Sequence, residues 1–124
     1  MIAALKRIVV PELRAKGFKG SFPHFHRDSG AYRHLISFQF NKYGGSFVVE
    51  VGRCSAYGLE TSGRQIRPNE VTVFHLHPAE RTRLGKDPSE SDHWFRSDEG
   101  LPWDRYNRAA KAVIPHLHTE AENW

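Results

Sequence analysis

Eight histidines occupy a chain of 124 residues, and six of them form pairs at i, i+2: His24/His26, His75/His77 and His116/His118. Random placement gives about half a pair. Two imidazoles at this spacing project together only on a strand, so each pair depends on the element that carries it. His75 and His77 close the alternating run "VTVFHLH", read as a strand that sets them on one face with Val71 and Val73. Downstream, "SDHW" offers His93 and Asp92 as a third ligand. Two or three imidazoles with a carboxylate suit zinc with an open coordination position, the centre of a metal-dependent hydrolase; another divalent ion is the variant. The competing reading is that His75 and His77 only hydrogen-bond or face water. His116 and His118 fall near a helix end, where two residues apart means divergent directions and where positive charge is favourable. His24 and His26 flank Phe25 on a short extended segment, where both could face one way.

The second candidate chemistry is cationic. Arg81 and Arg83, two apart in "RTR", would project together, and Arg96 with Trp94 lies close behind in sequence. Such a basic, aromatic-edged patch can grip acidic side chains of a protein, or take phosphate and stack on bases. Arginine pairing with Asp92 while Trp94 fills the core is the structural alternative. Other nucleophilic chemistry finds little support. Cys54 is the sole cysteine, with Arg53 beside it to favour a thiolate, but no partner base is identifiable. Ser55 and Ser62 sit in no nucleophile elbow, and Gly44-Gly45 belongs to a hairpin rather than a phosphate-cradling turn. Glu50 lies opposite the apolar face of its strand and reads as a solvated or sheet-surface group.

The elements that must position these groups follow from periodicity. Ile2–Lys16 reads as a helix with Gly17 at its C-terminal cap; Pro11 is expected to kink it or start a second short one. "AYRHLISFQFN" puts Tyr32, His34, Ile36, Phe38 and Phe40 on one strand face, "KYGG" reverses the chain, and "SFVVEVGR" returns with Phe47, Val49 and Val51 in register. Phe22–Arg27, Arg81–Leu84 and "HWFR" read as shorter strands, and Ser55–Asn69 as a long irregular connection. A C-terminal helix from Leu101 to about Ile114 is expected to end or bend at Pro115. The expected architecture over residues 1–124 is a single α+β domain. In it an antiparallel sheet of about four to six strands carries an N-terminal and a C-terminal helix packed on one side.

Composition narrows the setting. The chain is 39% hydrophobic and 26% charged, in the range of a folded globular protein. A lone cysteine permits no internal disulfide, and no apolar run approaches a membrane span. The start lacks a secretory pattern, so the expected location is cytoplasmic. The net charge of +4, from twelve Arg among eighteen basic residues, suits an acidic partner.

Read in order, "LRAKGF", "FHR", "ISFQF", "FVVEVG", "RTRLG", "DHWF" and "IPHL" resemble a bacterial family of small domains catalogued as domain of unknown function 4304, over almost the whole chain. The chain departs from that pattern at Trp94-Phe95, where the family often has two tryptophans, and at His26, where an aromatic commonly precedes the arginine. The family supplies no reaction and no catalytic residues. Some members look like immunity proteins encoded beside bacterial toxins. The resemblance therefore implies a protein partner, a cognate toxin, and a non-enzymatic binding role with no cofactor. The expected binding surface is the open sheet face, the Ser55–Asn69 loop, and the edge carrying Arg81, Arg83, Arg96 and Trp94. The metal-dependent hydrolase and a nucleic-acid-binding module are the alternatives.

Overall fold

A computed structural model describes residues 1–61, 63–77, 80–84, 94–97 and 104–119. Helix α1 (Ile2–Ala15) leads into β1 (Lys19–Ser21), β2 (His24–Ser29), β3 (Tyr32–Phe40) and β4 (Ser46–Ser55), which form an antiparallel meander. A small separate hairpin follows, β5 (Leu59–Thr61) with β6 (Arg64–Ile66). Strands β7 (Arg81–Arg83) and β8 (Phe95–Arg96) both pair antiparallel with β4, and α2 (Arg105–Thr119) follows. The result is a six-stranded antiparallel sheet with two helices, the α+β architecture expected from the periodicity.

The cap of α1 shows how sequence sets local geometry. Gly17 adopts φ +91, where its N–H donates to Arg14 O while the Phe18 N–H reaches back to Leu13 O. This is the Schellman arrangement, with buried Phe18 and Leu13 supplying its apolar contact. Pro11 does not end the helix, which runs unbroken to Ala15, and α2 likewise continues through Pro115. Both prolines sit at partly or fully exposed positions, where the lost backbone bond leaves a carbonyl within reach of water.

The register fixes two faces. Phe40, Phe38 and Ile36 of β3 stand opposite Phe47, Val49 and Val51 of β4. With Phe25 and Phe95 they bury against Leu5, Val9 and Leu13 of α1 and Ala110, Val113 and Leu117 of α2. Phe47 is fully buried, stacked on Phe95 at 5.4 Å and tilted against Phe40 at 5.8 Å. The helices run in the same direction, because Arg7 donates to Asn107 near one end and His118 faces Glu12 at 3.8 Å near the other.

The opposite face is not open as the alternation implied. Leu35 and Cys54 on it are covered by Val71, Val73 and Leu76, flanked by Leu59 of β5 and Ile66 of β6. This second core corrects two expectations. Val71–His77 is not a strand: Val73–His75 is a turn of 3₁₀ helix, with Thr72 and His75 forming a reciprocal capping box. And Ser55–Asn69 is not irregular throughout, since it holds the β5–β6 hairpin and a second 3₁₀ turn at Pro68–Glu70. Segment 71–76 serves as an apolar plug because a sheet face with Leu35, Val48 and Gly52 at its centre must be kept from water. Gly52 is part of that fit, as a Cβ there would fall 2.5 Å from Leu76 Cδ1.

Candidate functional site

A lateral row crosses the plugged face: His24 on β2, Ser37 on β3, Glu50 on β4 and Arg83 on β7 are successive register partners. The parallel row beside it runs His26, Leu35, Gly52 and Arg81. Arg81 and Arg83 therefore project from the same face, two residues apart, and converge on one carboxylate. Arg83 Nε donates to Glu50 Oε1 at 3.1 Å and Arg81 Nη1 to Glu50 Oε2 at 3.3 Å. Glu50 is only 5% exposed. It is not the solvated group that its position suggested; it is a buried anion, and a buried anion needs paired cations.

The two guanidiniums are fixed on their other sides by aromatic rings. Arg81 Cζ lies 5.7 Å from the Phe74 centroid and Arg83 Cζ 5.4 Å from that of Trp94, both within cation–π range. Phe74 is 40% exposed, in the 3₁₀ turn of the plug, and both arginines keep partial access to solvent. Two cations thus share one buried carboxylate, Glu50, which fixes both on a rigid backing. Arg96 pairs with Ser46 farther along the same β4 edge, and the register gives it the same face. The residues read as a basic, aromatic-edged patch are thus brought together at Arg81, Arg83 and Trp94, with Arg96 displaced along the edge. Phe74 joins them although sequence gave no reason to place it there.

The histidines are arranged differently. His75 Nδ1 accepts the Thr72 N–H at 2.9 Å as part of the capping box, and both His75 and His77 are exposed. Val71 and Val73, expected on their face, are buried instead. The common-face basis for chelation fails because this segment is not extended. His93 and Asp92 lie outside the described residues, and among the described residues no three His, Cys, Asp or Glu side chains converge as a metal site. His24, on the neighbouring strand, shares a hydrogen bond with Ser37 Oγ at 2.7 Å and meets the Phe74 ring edge-on at 5.7 Å. A cavity of about 320 Å³ opens beside this pair. Ser37 is 1% exposed in mid-strand, and the Glu50 beside it is engaged by arginine rather than orienting the imidazole, so the pair lacks the layout of a nucleophilic triad.

Burial drives the pKa values of the sheet histidines down. His24 is lowered by desolvation and by neighbouring His75, His26 by desolvation and chiefly Arg33, and His34 by desolvation and the flanking Arg27 and Arg53. Arg27, which can only donate, bonds His34 Nδ1 at 3.1 Å and so holds that ring neutral at Nδ1. Cys54 is pushed up by burial, opposed only partly by Arg33; Arg53 stacks on Tyr32 at 4.2 Å instead. The thiol is therefore buried and deactivated, not primed.

A family model described as Domain of unknown function (DUF4304) matches residues 9–124, nearly the whole chain. The chain belongs to the DUF4304 family. No curated protein and no solved structure matches it. In this DUF4304 chain the segments "FVVEVG" and "RTRLG" are joined by the Glu50–arginine contact, and Trp94 flanks Arg83.

Two outcomes follow. Glu50→Gln keeps the side-chain shape but leaves two guanidiniums facing each other without their anion. Urea unfolding should show a loss of about 2–4 kcal/mol, against about 1 kcal/mol or less for Arg81→Gln, which preserves the Arg83 bond. The histidine shifts give a second test. Each folded pKa lies below the ordinary 6.5, so the unfolded chain takes up protons first. The stability they contribute is complete above pH 6.5 and falls as pH drops through the lowered values. The urea midpoint should therefore decrease on acidification below 6.5, and the triple substitution of His24, His26 and His34 by Gln should flatten that dependence.

Proposed function

We propose that this DUF4304 domain is a protein-binding module that recognises an acidic partner surface through the Arg81/Arg83 edge. Its role is that of an immunity protein, neutralising a bacterial toxin by occlusion. The observation that supports this is the shared carboxylate. One buried Glu50 orients two arginines, Phe74 and Trp94 flank them, both arginines keep partial access to solvent, and the chain as a whole carries a net charge of +4. Arginine and tryptophan in partly desolvated, rigid settings are the side chains that dominate protein–protein binding energy. Preorganisation reduces the side-chain entropy lost on association, and unlike charge speeds encounter. The partner surface that fits is a carboxylate cluster with an apolar rim: acidic groups accept from the outward guanidinium N–H groups while apolar groups cover Phe74.

The test is co-expression with the product of the gene adjacent to its own, followed by size-exclusion chromatography and a growth-protection assay. The wild-type chain should form a complex and protect. The pair of substitutions Arg81→Gln and Phe74→Ala, both at solvent-accessible positions, should weaken binding by about a hundredfold, the effect of losing two central contacts. No complex, or a complex indifferent to both substitutions, contradicts the reading.

A further inference from the structure

The 3₁₀ turn Val73–His75 is closed by a capping box in which an imidazole takes the place of the usual Glu or Gln. The Thr72 side chain accepts the His75 N–H, and His75 Nδ1 accepts the Thr72 N–H at 2.9 Å. A carboxylate or amide oxygen in that position accepts throughout the neutral range. An imidazole nitrogen accepts only while it carries no proton, and imidazole is the side chain that changes state between about pH 5 and 8. A neutral ring accepting at Nδ1 has its hydrogen on Nε2. The next proton therefore has one place to go, the atom that holds Thr72. His75 is exposed, so that proton arrives directly from solvent.

What the turn positions is Phe74. This ring meets His24 of β2 edge-on at 5.7 Å and lies 5.7 Å from Arg81 Cζ of β7. Val73 and Leu76 are seated in the second core, so the box bears chiefly on Phe74 and His75, the exposed part of the segment. Surrounding charge does not replace the bond. On this sheet face β2 presents His24 and His26, β3 Arg33, β4 Glu50 and Cys54, and β7 Arg81 and Arg83. Glu50 is already engaged by both β7 arginines, and Arg33 pairs with Asp28 at 3.6 Å. Glu70, His77 and Glu80 are exposed, where charge interactions are weak. His24 is near enough to sense His75: burial first and His75 second hold its pKa down, so the two rings repel when both are charged.

We infer that the Thr72–His75 box is a proton-operated catch on the Arg81/Arg83 edge. When His75 takes up a proton, Nδ1 turns from acceptor to donor and the Thr72 N–H loses its partner. The turn then loosens and Phe74 leaves its fixed seat between His24 and Arg81. Arg81 keeps Glu50 but loses its aromatic flank. A weaker hold on an acidic partner at low pH rests on the function proposed for this edge; the catch itself is read in the chain alone.

Nuclear magnetic resonance of the full chain without a partner, at about pH 7.5 and about pH 5.5, brackets the imidazole range. In the wild type, exchange protection of the Thr72 N–H, corrected for the intrinsic effect of pH, should fall about fivefold or more on acidification, the weight of one hydrogen bond. Cross-relaxation between the Phe74 and His24 rings should weaken with it. His75→Gln, at an exposed position, restores an acceptor that does not titrate, so both signals should hold nearly constant. General acid destabilisation acts on both proteins alike. Thr72 protection that ignores pH in the wild type, or that falls equally in His75→Gln, overturns the inference, as does loss of the Thr72 bond with the Phe74–His24 contact intact.

Discussion

A carboxylate buried in the middle of a strand covered on both faces is the constraint on which this structure turns. Strand β4 packs Phe47, Val49 and Val51 against the helices and presents Val48, Glu50 and Gly52 on the opposite face, where Leu76 of the plug closes over Gly52. A charge at Glu50 would be prohibitive without compensation. Compensation comes from β7, whose register brings both Arg83 and Arg81 within hydrogen-bonding distance. The β4–β7 pairing is thus specified by charge as well as by backbone bonds. A slip of one residue would turn both arginines to the other face and leave the carboxylate alone.

The same constraint joins stability to the recognition proposed for this edge. The Glu50 contacts order two side chains that would otherwise be among the most mobile on the surface, and Phe74 and Trp94 restrict them further. Phe74 reaches Arg81 because the turn that carries it is anchored by Val71, Val73 and Leu76 in the second core. The plug therefore has two duties: it dries the sheet face around Leu35 and Cys54, and it holds an aromatic ring against the cationic edge. Loss of the plug would disturb the edge without touching an arginine.

Much of this fold was legible in the chain. The strict alternation of Tyr32–Phe40 against Phe47–Val51 leaves few registers open, and Leu13, Gly17 and Phe18 spell out a helix end. What was hidden depends on contacts distant in sequence. "VTVFHLH" satisfies a strand pattern locally, yet its apolar residues are drawn to a sheet face that no local pattern shows to need covering. Glu50 looked solvent-facing because alternation reports which face a residue takes, not whether that face is covered. The signal that could have found it was a lone acid inside "FVVEVG" matched by two arginines at strand spacing in "RTR". Of the outcomes expected at the two prolines, a break is the one not seen: tertiary packing of Val9, Leu13, Val113 and Leu117 outweighs one missing backbone bond at an accessible position.

The β7 edge is the surface proposed to meet another protein. Amide hydrogen exchange of the chain, alone and in complex with the adjacent gene's product, reads that surface directly. Slowed exchange concentrated at Val73–His75 and Arg81–Leu84 is the predicted result. Protection confined to β1 or to α2, with the β7 edge unchanged, would contradict it.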